Sequence, residues 1–182
     1  MHKTIIFLIL ICSLYATKTF AISLTLKSLE TNNQNSDYII DARFSISLSE
    51  EIMEALKNGI PLTLQTDVEV LLLRDWLPDE KTVTLSKRYQ LQHQPLTEDY
   101  LTVDLKTGIR QSYDNLNAAL NHIGQINNFK LLNQDILLDN RNYMGRIRMY
   151  LDLDSLPTPM RPQVYFSDDW QLETDWHEWK IK

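Results

Sequence analysis

Apolar and polar residues alternate along most of this 182-residue chain, and that period of two constrains its fold more than any motif it carries. Successive side chains of an extended strand point to opposite faces, so alternation marks strands with one buried face. Ile22, Leu24 and Leu26 form a first apolar row, and residues 30–37 read as a polar loop. Ile40, Ala42, Phe44, Ile46 and Leu48 form a second row, opposed by Asp41, Arg43, Ser45 and Ser47. Leu62, Leu64, Val68, Val70 and Leu72 form a third, backed by Thr63, Gln65, Asp67 and Glu69. Val83, Leu85, Tyr89 and Leu91 make a fourth, and Leu101, Val103 and Leu105 a fifth. Ile147, Met149, Leu151 and Leu153 make a sixth, with Arg146, Arg148, Asp152 and Asp154 opposite. Trp170, Leu172, Thr174 and Trp176 read as a last strand facing inward.

Two segments switch to helical spacing. Ser49 is placed to accept the unpaired N–H groups of a helix start, Glu50 and Glu51 follow, and Gly59 suits a left-handed stop. Leu48 and Met53 occupy hydrophobic-staple positions, with Ile52, Ala55 and Leu56 inward. A second helix is predicted over about residues 114–124, with Leu116, Ala119, Leu120 and Ile123 on one face. Turns fall at Pro78-Asp79, Pro95, Lys106-Thr107-Gly108 and Asp139-Asn140. The prolines of residues 156–162 predict an extended surface run. No repeat or domain boundary shows. The expected fold is mostly β: an antiparallel β-sandwich-like single domain over residues 22–182, with two short helices.

Residues 1–21 read as a secretory signal peptide. Lys3 gives a positive start, an apolar run follows from Ile5 to Leu14, and Thr19-Phe20-Ala21 offers small residues for cleavage between Ala21 and Ile22. The apolar run is too short to span a membrane, so no membrane span is expected after cleavage. Lys18, beside the cut, leaves a retained anchor as the alternative. Cys12, the chain's only cysteine, lies in the removable part. The exported protein is then expected in the periplasm without a thiol, a disulfide or a thiolate metal site. Lipidation at Cys12 would need a small residue where Ile11 stands. The formal charge is −6, and the leader holds Lys3 and Lys18 but no acid, so the mature chain is more acidic still. Such a chain repels phosphate backbones and anionic lipid, which excludes nucleic acid as an expected partner.

Chemistry-bearing patterns are sparse. None of the four glycines stands beside a serine as a nucleophile elbow requires, and no P-loop or dinucleotide fingerprint occurs. His93, His122 and His177 lack ligand spacing, so surface or structural roles are expected. Asp152 and Asp154 share a strand face with Arg146 and Arg148, which suggests a charged ladder ahead of a calcium or acid–base pair. Asp168-Asp169 reads as a turn. The tail carries Trp170, Trp176 and Trp179, with Tyr165 and Phe166 just upstream. Trp170 and Trp176 share inward parity; Trp179 lies on the other, beside His177. An exposed Trp179 with His177 would suit a protein or glycan partner, whereas a buried one would close the rim of the sandwich.

Three stretches resemble the Gram-negative "domain of unknown function 4390" family. They are Glu54-Ala55-Leu56-Lys57-Asn58-Gly59-Ile60-Pro61-Leu62, then Arg88-Tyr89 with Leu96-Thr97 and Tyr100, and finally Leu151-Asp152-Leu153-Asp154-Ser155-Leu156-Pro157 continuing through Pro162 to Trp170. The resemblance implies an exported protein of bacterial envelopes and supplies no activity. Some members are encoded beside membrane sensor kinases, which associates the family with envelope signalling. The expected function is a non-catalytic, cofactor-free binding module of the envelope, with an envelope protein or glycan as partner. The alternatives are an accessory regulator of a membrane sensor kinase, and a hydrolase assembled from dispersed carboxylates and histidines.

Overall fold

The structure, a computed structural model, describes residues 22–181. The expected leader, with Ala21 and its bond to Ile22, lies outside the described residues. Within them the chain is mostly β, in two antiparallel sheets with three short helices. Strands β1 (Ser23–Gln34), β2 (Asp37–Ser47) and β7 (Gln125–Asn133) form a three-stranded sheet in the order β1-β2-β7. Strands β3 (Leu62–Leu72), β4 (Glu80–Gln94), β5 (Asp99–Asp104), β6 (Arg110–Tyr113), β8 (Tyr143–Leu151) and β9 (His177–Lys180) form the second. Its order is β6-β5-β4-β3-β8-β9, so β9 is an edge strand among the described residues.

The predicted apolar rows of β2, β3, β4 and β8 line the sandwich interior. Ile40, Leu62, Val70, Leu91 and Ile147 are fully buried, and one apolar cluster joins both sheets. Helix α1 (Glu50–Lys57) begins where Ser49 Oγ accepts from the Ile52 N–H at 3.2 Å, and it buries Ile52 and Leu56. Gly59 follows at φ +86°, the left-handed conformation that its missing Cβ permits. Helix α2 (Leu116–Ile123) is capped by Asn115, whose Oδ1 accepts from the Ala118 N–H at 2.9 Å. Both helices pack their apolar faces into the cluster.

Several local expectations are corrected. Residues 30–37 are no loop: β1 and β2 continue through them around a tight turn at Asn35 and Ser36, both at positive φ. Beyond Leu29, β1 is exposed on both faces as an edge strand, so it has no apolar row to read. Strand β7 escaped detection because two bulges break its parity against β2. At one of them Asn128 takes φ +51° and its N–H is held by Asp41 Oδ1 at 2.8 Å. Strand β6 is short and almost wholly exposed, with no buried face to register.

In β5 the facing is opposite to that expected. Leu91, fully buried, lies across from Thr102, so Tyr100 and Thr102 face inward while Leu101 and Val103 turn outward and Leu105 is exposed. Residues 156–162 do not run extended. They curl through a turn into helix α3 (Arg161–Val164), where Pro162 sits in the first turn and its missing N–H loses no bond.

Candidate functional site

The last expected strand is corrected most. Asp168–Trp170 forms a single 3-10 turn, pinned where Ser49 Oγ donates to the Asp169 carbonyl at 2.8 Å. Trp170 and Leu172 are buried, and the chain then meets β8 at a single bridge, Glu173 across from Tyr150, and pairs with it as a strand only at β9. Thr174 bonds Met149 through both its N–H and its hydroxyl oxygen before the register shifts. As a result Trp176 and Trp179 exchange their expected faces. Trp176 lies outside, half-buried, with the Arg146 and Arg148 guanidinium groups 4.4 and 4.6 Å from its ring centre. Trp179 pairs across from Gly145, and His177 from Ile147, both on the core-facing side. A methyl group on Gly145 would collide with the Trp179 indole, so this close approach requires glycine.

The outer face around Trp176 is a network of paired charges on β3, β4 and β8. Glu69 is 5% exposed, and its carboxylate accepts from Lys81 Nζ at 2.6 Å and from Arg146 at 2.8 and 2.5 Å. Burial acts to raise the Glu69 pKa, yet the hydrogen bonds and charges of Lys81 and Arg146 outweigh it and hold it below the usual value. Asp67 accepts from Gln65 at 2.7 Å, Ser86 at 2.8 Å and Arg148 at 3.4 Å. Burial, then the neighbouring Asp67 charge, pushes the Tyr150 phenol up to about 12. The ladder expected for Arg146 and Arg148 therefore exists, but its acids come from β3. Asp152 instead pairs with Arg88 at 2.7 Å, and Asp154 accepts from Tyr165 Oη at 2.5 Å.

The histidines stay apart. His122 lies between Tyr89 and Tyr113, with ring centres 5.3 and 5.5 Å away, and burial followed by the Lys87 charge lowers its pKa. The His93 and Tyr100 rings, centres 5.1 Å apart and tilted by 47°, line a recess of about 550 Å³ together with Lys57, Glu98 and Asp114. Asp152, Asp154 and His177 line no part of that recess. Among the described residues no group of three or more His, Cys, Asp or Glu is placed to hold a metal ion, and no helix is long and apolar enough to cross a membrane.

Three buried side-chain nitrogens lack a partner among the described residues, His93 Nδ1, Arg148 Nε and Trp179 Nε1, and the last belongs to the edge strand β9. A groove of about 410 Å³ runs beside it, lined by Leu73, Asn142, Tyr143, Met144, Glu178, Trp179 and Lys180. On the core-facing side of the same strand, the Trp179 indole N–H is buried without an acceptor. Leu73 also borders a second groove of about 500 Å³ under the β3–β4 loop, where Trp76 is 96% exposed and Leu77 63%. Sequence reading missed Trp76. The available signal was Asp75-Trp76-Leu77-Pro78-Asp79, a tryptophan and a leucine between turn-forming residues where no strand could bury them.

The profile of one protein family, described as a domain of unknown function (DUF4390), matches residues 21–180 of the chain. No curated protein and no solved structure matches it.

Proposed function

Since the chain belongs to the DUF4390 family, a domain of unknown function, we propose that it is a non-catalytic binding module of the cell envelope that takes an extended protein segment along β9. One observation carries this reading. Among the described residues β9 is an edge strand, and an apolar groove lined by Leu73, Tyr143, Met144 and Trp179 borders it. An added strand supplies main-chain hydrogen bonds to such an edge, and the groove offers apolar surface to its side chains. The acidic and histidine side chains weighed for hydrolysis are dispersed and mostly occupied in pairs, which supports binding over catalysis. Export to the periplasm is supported by the leader-like residues 1–21.

A photo-cross-linking residue at Asn142, on the groove rim, tests the proposal in intact cells. Capture is expected at Asn142 and absent at Gln111, on the opposite edge of the same sheet. The captured chain should be periplasmic and begin at Ile22. Equal or no capture at the two positions would overturn the docking surface. A cytoplasmic chain with Met1 intact would overturn export.

A further inference from the structure

The β9 edge is self-complementary, and we infer that the extended segment it takes is β9 of a second copy of this chain, a step that rests on the docking surface proposed above. Ile181 N–H bonds back to Tyr143 O at 3.0 Å. By strand alternation, Trp179 also turns its backbone groups toward β8, and Glu178 and Lys180 turn theirs to the free edge. Two β9 strands can therefore join antiparallel about a two-fold axis only in registers that pair these outward residues. Pairing Glu178 with Glu178, or Lys180 with Lys180, sets like charges directly opposite each other. The register centred on Trp179 sets Glu178 against Lys180 of the second copy, and Lys180 against its Glu178. It makes four backbone hydrogen bonds and two opposite-charge pairs.

Both side chains are exposed and project from the outer sheet face, where Glu178 lies across from Arg146 and Lys180 across from Met144. No described strand covers this edge. An uncovered edge invites pairing, and here the charge pattern admits one register for two identical strands. The two six-stranded sheets then become continuous through β9.

Sedimentation equilibrium of the protein purified from the envelope fraction tests this with a charge swap. The wild type should dimerise reversibly. Glu178→Lys alone and Lys180→Glu alone should each weaken the dimer by about tenfold or more, because each converts both symmetric pairs to like charges. The double variant Glu178→Lys with Lys180→Glu should restore it. Circular dichroism melts separate folding from assembly, since the Glu178→Lys change meets Arg146 whether it is made alone or in the double variant. A wild type that stays monomeric, or a dimer indifferent to the single changes, would overturn the inference. Cross-linking at Asn142 distinguishes the two claims. Capture of a different envelope protein by a monomeric chain leaves the docking surface standing and removes the second copy as its occupant. Capture of the chain itself, together with rescue by the double swap, supports both.

Discussion

Three tryptophans within ten residues occupy three different environments. Trp170 is 5% exposed and belongs to the apolar cluster, Trp176 lies over two guanidinium groups on the outer face, and Trp179 closes the core side over Gly145. Parity counted back along an unbroken strand would make Trp176 a core residue, and a 3-10 turn with a register shift undoes that count. The energetic order follows the environment. Trp170→Ala should cost about 3–5 kcal/mol by opening a cavity. Trp176→Ala should cost about 1–2 kcal/mol, the scale of two half-exposed cation–π contacts. Urea denaturation of both variants checks the order. A Trp176 variant as damaged as the Trp170 variant would place the indole in the core after all.

At the scale of elements, β3 is the strand on which the larger sheet depends. It is buried on both faces, by the apolar cluster inside and by long charged side chains outside. Thr63, Asp67 and Glu69 read as solvent-facing polar residues from alternation alone, yet each is at most 9% exposed. Lys81, Arg146 and Arg148 cover that face and are contributed by β4 and β8. Glu69→Gln keeps the shape and removes the charge, and it should destabilise by about 1–3 kcal/mol at neutral pH. The sign with pH follows from the depressed Glu69 pKa. Its contribution is fully present above the unfolded value of about 4.5 and fades as pH falls through the lower folded value. The gap between wild type and variant should therefore narrow in acid. Melts from pH 7 down to about pH 3 measure it, and a gap that widens in acid would contradict the pairing.

For the whole molecule, stability rests on one apolar cluster shared by two sheets and two capped helices, with no cysteine among residues 22–181 to form a disulfide. Melting of the chain from Ile22 onward should be indifferent to reducing agent and to EDTA, because no described group of ligands is placed for a metal. A fall of several degrees with chelator would point to an ion held by carboxylates such as Asp152 and Asp154. Assembly is the property that depends on concentration: a dimer joined at β9 should raise the melting temperature as protein concentration rises.

Which segments bury one face is written in local pattern. The rows of β2, β3, β4 and β8 and the cap Ser49 were legible because alternation, helical spacing and capping are local. The tertiary structure alone decided neighbours. It paired Glu69 and Asp67 with Arg146 and Arg148, set β5 inward at Thr102 through its register with Leu91, and exchanged the faces of Trp176 and Trp179. A period of two records that a strand has two sides. It carries no record of which strand lies alongside, where a bulge reverses the count, or which edge is left open, and those are settled only when the two sheets close on a common core.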